Sequence, residues 1–249
     1  MVTKLKSVFH SQQLRLAVKA LIFGGFLVLA KIGNLGLFPV LFFIFVASFL
    51  YFKPIFNPTS QLNNLTLLLV VSIIFANLLN NFDYFLGSAV FASVIFYLIL
   101  GVKDLVLIRR EAWSRFIALA LVLAMAFLFF NSAAFSGLVL KTVVLFIGYC
   151  LVFHGVFSSE GGSASGGKNR TLTLSAALIL LELSLVARLL PLTSLNAASL
   201  VLLGYFALTD LTDGYINKTL NRKMILTDLT IFIVLSLLIF ASTEWSLIA

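Results

Sequence analysis

Long apolar runs separated by short polar segments dominate the pattern along this chain. A membrane-spanning helix needs about 20 mainly apolar residues, with a working range of about 17–25. Nine runs approach or reach that length. They lie at Leu16–Lys31, Leu35–Phe52, Leu65–Phe82, Tyr84–Gly101, Arg115–Asn131, Ser136–Phe157, Leu172–Leu190, Leu195–Leu211 and Leu226–Ser242. The pattern predicts an all-α, polytopic transmembrane bundle of about nine spans.

The basic residues between these runs favour one orientation in the membrane. Cytoplasmic connections carry an excess of Lys and Arg. Of the 17 basic residues, all but Lys31, Lys141 and Arg188 fall in the N-terminal segment or in the even-numbered connections. The sequence therefore predicts an N-terminus in the cytoplasm and a C-terminus outside.

The odd-numbered connections, on the predicted outer side, are short, and each carries an asparagine. These residues are Asn34, Asn81, Asn131 and Asn196. The pattern predicts helical hairpins with tight outer turns. Two interpretations stay open: a weak internal repeat of hairpins, or the general tolerance of asparagine for helix ends and left-handed backbone.

One inner connection differs from the others in composition. Residues 158–170 are rich in Gly and Ser, which is typical of a flexible linker. The predicted organisation is a six-span membrane region at 1–157, a cytoplasmic linker at 158–170 and a three-span membrane region at 171–249.

Composition narrows the class of protein. Apolar residues make up 61% of the chain and charged residues 10%, against about 45–50% and about 25% in ordinary globular domains. The formal charge of +8 is spread between apolar runs instead of forming one basic stripe, so no nucleic-acid partner is predicted. The predicted partners are the bilayer, anionic lipid headgroups at basic cytoplasmic loops and a membrane-protein partner. The predicted location is the prokaryotic cytoplasmic membrane.

Glu182 is the most unusual ionisable residue for a membrane-spanning segment. It lies inside the seventh span, where an ionisable side chain is costly enough to suggest a function. Lys141, in the outer part of the sixth span, reaches a comparable depth. Three hypotheses stay open for Glu182: an ion pair with Lys141, a protonated and hydrogen-bonded side chain, or a proton or cation site.

Other catalytic or binding constellations are not indicated. His10 and His154 have no Asp, Glu or Cys at metal-ligand spacing, and the one cysteine, Cys150, lies within an apolar run. No serine lies in a GxSxG nucleophile elbow. Neither a cofactor nor a metal ion is predicted.

One short motif resembles a known family. The segment Asp210-Leu211-Thr212-Asp213-Gly214-Tyr215-Ile216 is similar to the opening of the CDP-alcohol phosphatidyltransferase signature, D-x2-D-G-x2-A-R-x8-G-x3-D-x3-D. The resemblance implies divalent-metal binding by Asp210 and Asp213 at the cytoplasmic end of a span, with Gly214 matched as well.

The remaining signature positions depart from that family. They hold Asn217, Lys218, Thr227, Ile231 and Leu235. Asp228 is the nearest carboxylate to a missing third ligand, and two missing carboxylates would disable a two-metal site. As a whole, the chain resembles multi-pass membrane proteins of bacteria.

Three functions follow, in order of preference. The first is a non-enzymatic membrane subunit or scaffold. The second is an ion-coupled transporter that uses Glu182. The third is an enzyme acting on lipid-linked substrates, with a metal site formed by Asp210, Asp213 and Asp228.

Overall fold

The described residues form nine α-helices and no strands. The computed structural model describes residues 2–53, 61–79, 82–107, 109–131, 138–160, 166–216 and 218–243. The helices are α1 (Val2–Ile32), α2 (Leu37–Phe52), α3 (Leu62–Leu78), α4 (Phe82–Lys103), α5 (Arg110–Asn131), α6 (Leu138–Glu160), α7 (Gly166–Leu189), α8 (Ser194–Ile216) and α9 (Arg222–Ala241). Each predicted apolar run lies largely within one of these helices, so the all-α prediction is confirmed.

Six of these helices are long and apolar enough to cross a membrane, namely α4 to α9. Helices α2 and α3 are apolar but shorter, with 16 and 17 residues. The lengths and composition indicate a multi-pass membrane protein.

Helix α1 is longer than its apolar run. It begins at Val2, whereas the run begins at Leu16. No Gly or Pro interrupts residues 2–23, so the helix continues through the polar N-terminal segment.

The interval between α6 and α7 is shorter than the linker predicted at residues 158–170. Helix α6 continues to Glu160 and α7 begins at Gly166, while residues 161–165 lie outside the described part. The contacts within the structure divide the chain at a different place from the predicted linker. They define unit 1 (Met1–Ala118) and unit 2 (Leu119–Ala249). The dividing point lies within α5. The proposed separation of two membrane regions by residues 158–170 stays a prediction.

Unit 1 is organised around α1. Helix α1 packs against α2, α3 and α4, and α3 packs against α4. The Phe23 ring of α1 stacks on the Phe96 ring of α4, with centroids 4.3 Å apart, and contacts the Phe43 ring of α2 at 5.1 Å. All three rings are buried, so these contacts join three helices at one level.

Unit 2 has a sequential arrangement. Helix α6 packs against α7, α7 against α8, and α8 against α9. Tyr149 of α6 is fully buried and shares a 2.9 Å hydrogen bond with Ser184 of α7. Within α9, Ser236 is the buried residue of the helix, and most of its apolar side chains are exposed.

The turn between α1 and α2 shows why asparagine suits this position. Asn34 and Leu35 have φ angles of 55° and 52°. Asparagine adopts left-handed backbone more readily than most residues, so Asn34 supports the interpretation of these residues as turn formers. Asn81 lies outside the described residues, and the repeat stays untested.

A methyl group at Gly24 should destabilise the contact between α1 and α4. A Cβ there would overlap Ser93 Oγ, whereas a Cβ at Gly25 would meet nothing within 4 Å. We expect Gly24→Ala to lower the melting temperature in detergent, and Gly25→Ala to raise it slightly because alanine favours helix by about 1 kcal/mol.

A second substitution, at Ser93, should restore the stability lost in Gly24→Ala. Without Ser93 Oγ, the new methyl would lie 3.5 Å from the Cβ of residue 93, which is ordinary contact. Gly24→Ala should therefore be tolerated in a Ser93→Ala background. Equal melting temperatures for Gly24→Ala and Gly25→Ala would contradict this packing.

Candidate functional site

The two residues of the predicted intramembrane pair lie on neighbouring helices. Lys141 is half-buried near the start of α6, and Glu182 is exposed on α7. Helices α6 and α7 pack against each other, as a pair would require. Among the described residues, however, no ion pair of Glu182 is present. The pairing with Lys141 stays a prediction without a supporting contact.

Glu182 lies on an exposed face of α7. Exposed apolar side chains precede and follow it along the helix. They include Leu174, Leu178 and Val186, which are 42%, 48% and 54% exposed. These three residues and Glu182, spaced by four, form one face of the helix, which we name the α7 stripe.

The acidic residues of the family-like motif lie on two helices. Asp210 and Asp213 are one turn apart in α8, Asp213 being buried, and Asp228 lies in α9. Within the part of the chain that the structure describes, no three His, Cys, Asp or Glu residues are grouped closely enough to hold a metal ion. The structure therefore does not assemble Asp210, Asp213 and Asp228 into a three-ligand site.

A different polar site lies in unit 1, at the C-terminal end of α2. The last carbonyl groups of a helix have no partner within the helix. Here two lysine side chains supply donors. Lys19 of α1 donates to the carbonyl oxygen of Leu50 at 3.1 Å and to that of Lys53, and Lys103 of α4 donates to the carbonyl oxygen of Tyr51.

Lys103 is the more buried of the two lysines. Its side chain is 0% exposed, its Nζ lies 3.7 Å from a carboxylate oxygen of Asp104, and it lies 4.7 Å from the centroid of the Tyr51 ring. A buried ammonium group is tolerable only when it is paired and hydrogen-bonded. The carbonyl, the carboxylate and the aromatic ring meet that requirement together.

Buried polar groups continue from this site into α3 and α5. The Tyr51 hydroxyl accepts a hydrogen bond from the Gln61 backbone N–H at 3.2 Å, and the Gln61 side chain donates to Ser114 Oγ at 3.3 Å. The Asn64 side-chain amide donates to Gln61 Oε1. This network joins the ends of four helices of unit 1.

We name Lys19, Lys53, Lys103 and Asp104 the lysine cluster. From the sequence, its three lysines indicate only the membrane topology. Nothing in the sequence places Lys19 and Lys103 beside the same helix end. One feature of the sequence pointed to a cation at this helix end: α2 is followed by Lys53 and not by a glycine cap. The negative end of a helix dipole attracts cations from any part of the chain.

The lysine cluster carries more positive than negative charge. Lys19 interacts electrostatically with Arg15, Lys53 and Lys103, all of the same sign, and with Asp104, of the opposite sign. Arg15 and Lys53 are exposed. The arrangement can hold a helix end in place and can attract an anion.

Comparison of this chain with protein-family models, with curated proteins and with solved structures finds no match.

Removal of the buried ammonium group should destabilise unit 1 strongly. Lys103→Met leaves the Asp104 carboxylate without this counter-ion and the Tyr51 carbonyl without its donor. Loss of one partner of a buried pair costs about 3–5 kcal/mol. We expect a marked fall in the detergent melting temperature, while Lys223→Met, at an exposed lysine, should change it little.

The double variant Lys103→Met/Asp104→Asn separates pairing from simple burial. Because the unpaired carboxylate is removed as well, this variant should recover part of the loss caused by Lys103→Met. Strictly additive losses would show that Lys103 and Asp104 are not coupled.

Proposed function

We propose that this protein is a non-enzymatic membrane subunit or scaffold that docks a transmembrane partner through the α7 stripe. The observation that carries the proposal is the exposure of Glu182 in the middle of an apolar helix face. Helix α7 is long and apolar enough to cross a membrane. Glu182 lies seven residues from its end at Leu189, about 10 Å along the axis at about 1.5 Å per residue.

A carboxylate at that depth is costly against lipid. Insertion scales give about 2.5–3.5 kcal/mol for a charged residue at a helix centre. The apolar residues of the stripe offer packing to a neighbouring helix, and Glu182 offers a hydrogen-bond acceptor or a counter-ion. A partner helix with Lys, Arg or a polar amide at this level would satisfy Glu182, and such contacts join transmembrane helices.

We further propose nine spans, with the N-terminus in the cytoplasm and the C-terminus outside, in a prokaryotic cytoplasmic membrane. The distribution of basic residues supports the orientation, since three of 17 fall in the predicted outer half or outer connections. The short helices α2 and α3 are counted as spans because both are strongly apolar, and α1 is counted because it contains the apolar run Leu16–Lys31.

Two exposed connections of unit 2 test the orientation. Leu189 lies at the turn between α7 and α8, and Lys218 at the turn between α8 and α9. In a Cys150→Ser background, Leu189→Cys should react with an impermeant thiol reagent in intact cells. Lys218→Cys should react only after the membrane is opened, and the opposite pattern would reverse the proposed orientation.

Photo-crosslinking from α7 tests the docking proposal. A photoreactive residue at Leu178 or Val186, both on the stripe, should give a crosslink to a polypeptide in native membranes. The same residue at Leu180, which is fully buried, is the matched control and should not. Crosslinks at both faces, or to lipid alone, would contradict a helix-docking surface.

The role of Glu182 in that contact is tested with Glu182→Gln. We expect the stripe crosslink to weaken several-fold while the melting temperature of the purified chain stays nearly unchanged, because Glu182 is exposed and makes no ion pair in the described structure. The alternative function, an ion-coupled transporter, predicts a different result: unchanged crosslinking and loss of ion-dependent uptake in proteoliposomes.

A further inference from the structure

The exposed surface around the lysine cluster combines basic and apolar features of unit 1. Arg15 and Lys19 are four residues apart on α1 and therefore share a face of that helix. Lys53 follows α2 directly, and its backbone carbonyl accepts a hydrogen bond from Lys19. We name Arg15, Lys19 and Lys53 the basic patch.

The charges of this patch are not neutralised within the described part of unit 1. The patch has three positive charges, and the neighbouring Lys103 and Asp104 carry one charge of each sign. The cluster with Arg15 therefore holds a net excess of three positive charges. The negative end of the α2 dipole offsets only about half an elementary charge. An anion at this position would reduce the remaining repulsion.

Exposed apolar side chains lie next to the basic patch on both helices. On α1, Leu14, Val18 and Leu21 are 64%, 47% and 72% exposed. On α2, Phe45, Phe49 and Phe52 are 66%, 54% and 42% exposed. Each set has the i, i+4, i+7 spacing of one helix face. Helices α1 and α2 pack against each other, so a polar end and two apolar strips belong to the same helix pair.

We propose that the basic patch binds the phosphate of an anionic phospholipid, whose acyl chains lie along the exposed faces of α1 and α2. The guanidinium of Arg15 offers paired donors to phosphate oxygens, and Lys53 adds a mobile ammonium group. A soluble phosphate would use the same donors but would gain nothing from the apolar strips. The combination of a charged end and apolar strips therefore selects a lipid.

The site differs from the docking face proposed above in unit, charge and ligand. The α7 stripe lies in unit 2 and carries a carboxylate, whereas the basic patch lies in unit 1 and carries cations. The two proposals can fail independently. Lys19 and Lys103 hold the end of α2, and Arg15 and Lys53 are exposed, so the latter two can be changed without removal of those hydrogen bonds.

Native mass spectrometry of the purified, delipidated chain in detergent tests the proposal. Phosphatidylglycerol and phosphatidylcholine are titrated separately, and the apparent Kd of the first bound lipid is compared. We expect phosphatidylglycerol to bind more tightly. Arg15→Gln/Lys53→Gln should weaken phosphatidylglycerol binding by about 30-fold, which corresponds to about 2 kcal/mol at about 1 kcal/mol per basic residue.

The matched control removes the same charge elsewhere. Arg222 and Lys223 are exposed at the start of α9, and Arg222→Gln/Lys223→Gln should leave the Kd of the first lipid within about two-fold of the parent value. Arg15→Lys/Lys53→Arg keeps the charge and should retain most of the affinity. The melting temperature of each variant without lipid shows whether unit 1 is still folded.

Three outcomes would overturn the proposal. Equal affinity for the two lipids would exclude selection by charge, and equal losses in the patch and control variants would exclude this location. Competition by inorganic phosphate as effective as that by phosphatidylglycerol would identify a soluble-anion site instead of a lipid site.

Discussion

The carbonyl groups at the end of a helix govern the construction of unit 1. Where these acceptors are shielded from water they need a partner within the protein, because an unpaired buried carbonyl group is costly. Lys19 and Lys103 reach the end of α2 from two other helices. Lys31 does the same for α3, where its Nζ donates to the carbonyl oxygen of Ala76 at 2.6 Å and lies 5.9 Å from the Phe85 ring centroid. Three basic residues thus fix helix ends.

This use of lysine explains the central position of α1. One helix contributes Lys19 to the end of α2, Phe23 to the shared aromatic contact and Lys31 to the end of α3. Displacement of α1 would uncover carbonyl groups and aromatic rings at the same time. Lys19 also belongs to the basic patch, so one of the lysines that hold helix ends contributes positive charge to that patch. The helix-end contacts and the proposed lipid site therefore share Lys19.

In unit 2, the polar contacts in the interior differ from those on the surface. Inside, the Tyr149 hydroxyl and Ser184 satisfy each other at 2.9 Å, and Ser184 also donates to the Leu180 carbonyl oxygen in its own helix at 2.8 Å. On the surface, Arg188 lies over the Phe129 ring, 5.4 Å from its centroid, while Glu182 is exposed. Neutral hydroxyls suit a buried helix contact because each can donate and accept. A carboxylate needs a cation or a proton, and the exposed position of Glu182 leaves room for a partner to supply it.

The apolar runs predicted how many helices the described residues form and the approximate position of most of them, because the length of an apolar run is a local property of the chain. It also marked Glu182 as an unusual residue and Asn34 as a turn former. Which charges lie together depends on helix packing and could not be predicted from the sequence. Lys19, Lys53 and Lys103 are far apart in the chain, and the packing of α1, α2 and α4 brings them to one helix end. The exposure of Glu182 could not be predicted either, because the contacts of α7 with α6 and α8 decide which of its side chains are covered.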